Sequence, residues 1–500
     1  MNTRLHSHER DQDFSDVDRT ALLHALAGIL PANALLADRE DLKPYECDGL
    51  SAYRRLPLAV ALPENEVQVV AVLKACNRLG VPVVPRGAGT GLSGGVLPHE
   101  HGVVLSLAKM KHILKLDPLA RTAVVQPGVR NLAITEAAAP HGLYYAPDPS
   151  SQIACTIGGN IAENSGGVHC LKYGLTVHNV LRVRGVTIDG EVVEFGNHAL
   201  DAPGYDLLAL MIGSEGLLAV VTEVTVKLVP KPEVARVIMA SFDAVTKAGA
   251  AVAEIIAAGI IPAGLEMMDK PATAAVEPFV KAGYDLNAEA ILLAESDGTP
   301  EEVEEEIAAM RAVLEKSGAT EIRVSTSEAE RLRFWAGRKA AFPAVGRISA
   351  DYYCMDGTIP RKRLAEMLTA IAGMEKKYGL RCANVFHAGD GNLHPLIMYD
   401  AGVAGELQRA EDFGTEILKL SVELGGTITG EHGVGFEKIG SMCTQFNPEE
   451  LAAFHRVKSA FDPQGLLNPD KAVPTLHRCA EFGRMHVHQG QLSHPELERF

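Results

Sequence analysis

Four side chains in the last third of the chain, His387, His394, Glu431 and His432, have types and spacing that could build a metal site open to substrate. The segment Asn384 to Ile397 reads NVFHAGDGNLHPLI. Asp390-Gly391 is a favoured two-residue hairpin turn between apolar runs. That turn sets His387 directly opposite His394, with Cβ atoms about 5 Å apart on one face. Two imidazoles so placed begin a transition-metal site. Isolated histidines are more often ordinary core or surface residues, and it is the register that favours a metal here. A second segment, Gly426 to Gly435, reads GTITGEHGVG. Neighbours on a regular strand point to opposite faces. Glycines at 430, 433 and 435 can bend the backbone so that Glu431 and His432 reach one cavity. The carboxylate then completes a His/His/Glu set with positions open to substrate. On its own, this segment would read as a glycine turn with an exposed Glu-His pair.

A different chemistry is written in three loops of small residues. The first, Pro85 to Gly95, reads PRGAGTGLSGG and follows the apolar run Val81 to Val84. Its candidate ligand-binding residues are Pro85, Arg86, Gly87, Ala88, Gly89, Thr90, Gly91, Leu92, Ser93 and Gly94. Glycine-dense backbone can bring N–H groups close to a phosphate or pyrophosphate. Gly89-x-Gly91-x-x-Gly94 matches a dinucleotide fingerprint, but that motif must open a helix. Here the apolar run Val103 to Leu107 follows, so strand–loop–strand fits better. A P-loop is excluded because no Gly-Lys-Ser/Thr follows. The second loop, from Pro147, reads PDPSSQIACTIGGNIAENSGG, and the third is Gly213-Ser214-Glu215-Gly216. Loops spread over ~130 residues suggest one extended ligand held along its length, since a mononucleotide needs only one.

These residues need a large scaffold. Five hundred residues imply two or more domains, and 22% charged with 47% hydrophobic residues is ordinary globular composition. A net charge of −16 argues against nucleic acid and anionic lipid as partners. The N-terminus has no apolar core of a signal peptide. The longest apolar stretch, Ala248 to Leu265, is broken by Glu254 and Pro262, which argues against a membrane span. Eight cysteines without a CxxC pair read as reduced, mostly buried cytosolic thiols that cannot supply an iron–sulfur cluster.

The pattern predicts a helix over 19–30, a strand over 59–62, a helix over 64–79 closed by Gly80, and a strand over 220–226. Pro230 and Pro232 mark a boundary. Three strand–helix units follow: 237–241 into 244–258, 290–294 into a helix from Thr299, and 352–359 into 361–378. Thr299, Pro300 and Glu302 make a capping box, and Gly318 and Gly379 are stops. Alternation of this kind suggests a βαβ-type cap.

The three loops resemble the FAD-binding domain of the vanillyl-alcohol oxidase / p-cresol methylhydroxylase flavoproteins. The resemblance implies an α+β fold: a two-subdomain FAD-binding domain, not a Rossmann fold, plus an α/β (ferredoxin-like) cap. Covalent members carry a flavin-linking histidine in the first loop. None lies between Pro85 and Gly95, which implies non-covalent FAD. HAGDGNLHP, GEHGVG and FDPQGLLNPDK, within a match from about Arg54 to Lys471, are similar to the FAD-linked D-2-hydroxyacid dehydrogenase group. Further FAD contacts implied are Pro147, Asp148, Ser150, Gly158, Gly159, Asn160, Asn164, Gly166, Gly167, Tyr173, Gly174, Gly213, Ser214, Glu215, Gly216 and Asn468. In that group the residues matching His387, His394 and Glu431 bind a divalent metal, often zinc. His432 matches the base. Arg338, in Trp335-Ala336-Gly337-Arg338, matches the holder of the substrate carboxylate. Lactate- and hydroxyglutarate-type members often have a lysine shortly before the aspartate matching Asp356. Cys354 stands there instead, which favours a small substrate.

The expected domains are an N-terminal helical segment (1–53), the FAD-binding domain (54–231), a cap with the metal site (232–450) and a C-terminal segment returning to the FAD domain (451–500). The expected reaction is FAD-dependent oxidation of a small 2-hydroxy acid, glycolate or D-lactate, to the 2-oxo acid. Without cluster-binding cysteines, electrons must pass to a partner or the respiratory chain. The resemblance implies a second FAD-domain subunit and an iron–sulfur subunit, with the chain cytoplasmic and held peripherally at the inner membrane. The rival readings are a stand-alone D-lactate dehydrogenase and a non-catalytic flavin-binding scaffold subunit. The His/His/Glu-His set argues against the second.

Overall fold

The computed structural model describes residues 14–198 and 204–474. The tail that carries His477, His486, His488 and His494 lies outside them. Helix α1 (Arg19–Ala27) starts at Asp18, whose side chain accepts the N–H groups of Thr20 and Ala21. Then come β1 (Leu35–Leu36), β2 (Ala59–Ala61), α2 (Glu66–Leu79), β3 (Val83–Arg86) and β4 (Val103–Ser106). Gly80 ends α2 in the left-handed region at φ 65°, as its position predicts. The sheet order is β1-β2-β4-β3, with β2 and β3 both parallel to β4. No helix intervenes between β3 and β4, so the first glycine loop joins two strands, as the sequence indicates.

The second sheet comprises β5 (Ile113–Asp117), β6 (Thr122–Val125), β7 (Val180–Val186), β8 (Val192–Gly196) and β9 (Val220–Lys227), ordered β5-β6-β9-β7-β8. The short helix α3 (Ile157–Glu163) packs Ile157 and Ile161 against Val183 and Val224 of this sheet. At the start of this helix, Gly87 of the first glycine loop lies against Thr156 and Gly159 of the second.

The third sheet has seven strands. Its elements in chain order are β10 (Val234–Phe242), α4 (Val245–Ala257), β11 (Gly264–Asp269), β12 (Ala290–Gly298), α5 (Pro300–Lys316), β13 (Glu321–Val324), α6 (Glu328–Lys339), β14 (Asp351–Cys354), α7 (Leu364–Tyr378), β15 (Cys382–His387), β16 (Asn392–Tyr399) and α8 (Glu406–Glu423). The order is β13-β10-β12-β11-β15-β16-β14, antiparallel at every step. Helix α4 links β10 to β11, which run parallel with β12 between them. Helix α7 links β14 to β15 in the same way around β16. These are split βαβ units, the ferredoxin-like arrangement. The capping box of α5 is present as read from Thr299 and Glu302.

Side chains alternate across this sheet. Leu265, Met267, Phe386 and Leu393 face α4, α5, α7 and α8. Met268, Val385 and Leu396 face the opposite way, toward Phe334 and Trp335 of α6. By the same parity Glu266, His387 and His394 share that second face. The strand expected over 352–359 stops at Cys354. Beyond it the fully buried Asp356 leaves the sheet to receive hydrogen bonds from the Gly430 loop.

Helix α9 (Pro448–Phe461) follows, and the chain then returns to the first sheet. Val83 N–H donates to Leu466 O at 2.8 Å, and Asn468 N–H donates to Val83 O at 2.7 Å. No described helix is long and apolar enough to cross a membrane. Cys47, Cys76, Cys155, Cys170, Cys354 and Cys382 are free thiols, but Cys443 is disulfide-bonded. This corrects the expectation that all eight are reduced. A cysteine with no near neighbour in sequence gives no pairing signal.

Candidate active site

The hairpin register differs from the one read off the sequence. His387 pairs with Asn392, and His394 pairs with Val385. A two-residue type I′ turn needs left-handed backbone at both central positions. Gly391 has φ 82°, but Asp390 is not left-handed. Instead Gly391 N–H donates to His387 O, closing a four-residue loop, and Asp390 Oδ1 accepts from Asn392 N–H. The register has moved by two, so the histidines are diagonal neighbours rather than direct ones, and an even shift keeps them on one face. Their ring centroids are 5.0 Å apart.

Glu431 meets both. Its Oε1 lies 3.2 Å from His387 Nε2 and 3.0 Å from His394 Nε2. Metal bonds of ~2.0–2.1 Å in a tetrahedron put ligand atoms about 3.3 Å apart, so these donors have the spacing of a closed-up metal set. His387 Nδ1 donates to Glu266 Oε1 at 2.7 Å across β11 and β15, which leaves Nε2 facing Glu431. Burial opposes charge on the His387 ring, but Glu266 and Glu431 outweigh it and raise its pKa well above the usual range. That is the negative field a cation would meet. A second trio, Cys354, His394 and His432, is also close enough to share an ion. Burial pushes the Cys354 thiol far up, so it stays protonated and is the poorer donor.

His432 stacks on His394 with ring centroids 4.9 Å apart and planes within 8°. Its Nδ1 is buried with no partner. Burial lowers its pKa to about 4, so the ring is neutral near pH 7. Asp356 organises this loop. It accepts the backbone N–H groups of Gly430, Glu431 and His432, and the Lys438 ammonium at 3.2 Å.

A cavity of about 330 Å³ opens in front of these rings. It is lined by Gly87, Ala88, Gly89, Thr90, Gly91 and Leu92 of the first loop, by Ser150, Gly159 and Asn160 of the second, and by His394, Glu431 and His432. A narrower cleft of about 70 Å³ continues from it past Pro85, Arg86, Gly158, Ser214, Glu215 and Gly216. Asp48 Oδ2, Thr156 Oγ1, Asn160 Nδ2 and Glu163 Oε2, all on these walls, are buried without partners. A ligand rich in polar groups would satisfy them.

The other anticipated contacts lie outside the cavity walls. Ser93 Oγ donates to His432 O at 2.8 Å, and Gly94 packs on Phe436. Asn468 Nδ2 donates to Gly95 O and Glu215 O. Asn164 Oδ1 accepts from Val177 N–H, and Gly213 N–H donates to Ile161 O. Pro147 O accepts from Asn131, while Gly167 packs on Asp148 and Gly174 on His178. Asp148 and Tyr173 turn away from the cavity: Asp148 accepts from His169 of the same domain, and Tyr173 donates to Asp297 of the cap. Arg338 is buried, with Nε donating to Glu266 Oε2 at 2.6 Å and Nη2 unpartnered. One arm of its fork is therefore already used.

A family model described as FAD binding domain matches residues 57–196, and one described as FAD linked oxidases, C-terminal domain, matches residues 231–472. Over 496 residues, 99% of each chain, the protein is 63% identical to the glycolate oxidase subunit GlcD of Escherichia coli (strain K12). The chain belongs to the FAD-linked oxidases. A D-lactate dehydrogenase of Anaerostipes hadrus is 34% identical over 457 residues, covering 89% of this FAD-linked oxidase and 95% of that protein. The solved structure of p-cresol methylhydroxylase with substrate bound has the same fold, with a TM-score of 0.78 over 93% of this chain and 99% of that one at 17% identity.

The glycine-lined cavity and its unpartnered polar atoms fit the FAD of this oxidase family. Residues that sequence reasoning missed are Glu266 and Asp356, which support the histidines and the Gly430 loop, and Asp48, Glu163, Lys339 and Phe342 on the cavity wall. The one available signal was a lone glutamate in the apolar run Ala263 to Met268.

Proposed function

We propose that this FAD-linked oxidase oxidises a small 2-hydroxy acid, glycolate or D-lactate, to glyoxylate or pyruvate. The observation that carries the reading is the convergence of His394, Glu431 and His432 on the same cavity as the glycine loops, with His387 held behind them against Glu431. The glycine loops would hold non-covalent FAD, which would supply the hydride acceptor, and His387, His394 and Glu431 would hold a divalent metal, zinc by its donor set, which would supply a Lewis acid for the substrate hydroxyl. His432, neutral in its buried site, takes the hydroxyl proton at Nδ1. Arg338 offers Nη2 to the carboxylate while its Nε fixes Glu266. The similarity to GlcD and to a D-lactate dehydrogenase supports both substrates.

The same reading divides the chain at residues 53, 231 and 450, and limited proteolysis tests those boundaries. Electrons leave to a second FAD-domain subunit and an iron–sulfur subunit, placing the protein in the cytoplasm against the inner membrane. GlcD is itself named a subunit, which supports a multi-subunit assembly. The deciding experiment is anaerobic bleaching of the flavin by a panel of hydroxy acids. Glycolate or D-lactate should bleach it fastest. No bleaching by any hydroxy acid would make the chain a flavin-binding scaffold.

A further inference from the structure

Two buried carboxyl groups share one small space where α3 meets the Gly430 loop. A Cβ added at Gly433 would strike Glu163 Oε2 and lie 3.1 Å from Glu215 Oε1. Their surroundings differ sharply. Glu215 receives the N–H of Val434 on one oxygen and that of Gly435 on the other, both at 2.7 Å. Glu163 Oε2 is buried with no partner, on a side chain that borders the cofactor cavity. Carboxylates this close do not both ionise readily, and the charge goes to the one with donors. Lys438 and Lys471 face Glu215, while Lys438, Asp48 and Asp356 face Glu163. Burial first, then Glu215 and Asp48, hold the Glu163 carboxyl well above the usual carboxylate range. Glu163 also lines the cofactor cavity and its continuing cleft, and it touches the first glycine loop at Gly95.

We propose that Glu163 is a cofactor-positioning residue that carries a proton and donates its O–H to bound FAD, while the neighbouring Glu215 carries the charge and ties down the Gly430 loop. A glutamine amide at 163 keeps a donor and cannot ionise, so it mimics the protonated acid. An alanine removes the donor.

The test reconstitutes full-length apoprotein with FAD and follows flavin fluorescence quenching from pH 6 to 9. Glu163→Gln should bind FAD within about threefold of wild type across that range, and Glu163→Ala should bind at least tenfold more weakly, the loss of one hydrogen bond. Infrared difference spectra on FAD binding should contain a protonated-carboxyl band that Glu163→Gln removes. The proposal is overturned if Glu163→Gln weakens FAD as much as Glu163→Ala, if Glu163→Ala binds like wild type, or if the carboxyl band survives in Glu163→Gln. Because binding and spectra are read without substrate, a wrong substrate assignment leaves the result intact.

Discussion

His432 is fixed at both ends of its peptide unit. Its N–H donates to Asp356 and its C=O accepts from Ser93, so the ring is aimed by backbone rather than by a hydrogen bond at its tip. His432→Ala should therefore keep FAD and metal yet slow flavin reduction by roughly 100-fold or more, the usual scale of a general-base contribution. Rapid-mixing kinetics with metal content measured on the same sample checks this. Glu266 acts one step back, by orienting His387. Glu266→Gln should weaken metal binding by about 10–100-fold, as removal of a carboxylate behind a ligating histidine does. Competition with a chromophoric chelator measures it. The meeting of His387, His394, Glu431 and His432 was legible because these histidines and the Glu-His pair stand in patterned segments. Glu266, Asp356 and Glu163 were not, because a single acid among apolar residues has no spacing, and its partners come from other strands.

Among the elements, caps and glycine stops marked the helices well, since each is a local interaction. Hairpin parity was legible too, but its offset depended on the backbone at Asp390. The fastening between the two halves was not legible at all. His169 donates from Nδ1 to Asp148 at 2.7 Å and from Nε2 to Glu295 at 3.1 Å, so it bridges the second glycine loop and β12. Two carboxylate acceptors require protons on both ring nitrogens. Burial would lower its pKa, but Asp148 and Glu295 outweigh that and raise it well above normal. A raised folded-state pKa gives stability that is complete below about pH 6.5 and is lost as pH climbs through the higher value. His169→Gln should cost about 2 kcal/mol at pH 6, the scale of a charge-assisted hydrogen bond. The gap from wild type should narrow in alkaline solution. Chemical denaturation at pH 6 and pH 10 tests the sign.

At the scale of the molecule, FAD should come away intact. No histidine stands in the first glycine loop, so acid precipitation should leave the yellow colour in the supernatant, and flavin on the pelleted protein would contradict that. A βαβ-type cap was legible from alternating strands and helices, whereas the α+β flavin fold and the ferredoxin-like form of the cap came with the family resemblance of the glycine loops. The closing of Leu466 to Asn468 on β3 was not readable from local pattern, because that pairing spans most of the chain. One contact between the halves carries further. Gly166, in the second glycine loop, leaves no room for a Cβ beside Glu431 Oε2. Glu431 in turn lines the flavin cavity, so a proposed metal ligand is itself part of that cavity's wall. Binding at either must then be felt at the other, and thermodynamic reciprocity makes the two effects equal. Stripping the metal with a chelator should raise the FAD dissociation constant by some factor between about 5 and 150, the usual span of such coupling. Removing FAD should loosen the metal by the same factor, so this oxidase would load its two cofactors as a cooperative pair.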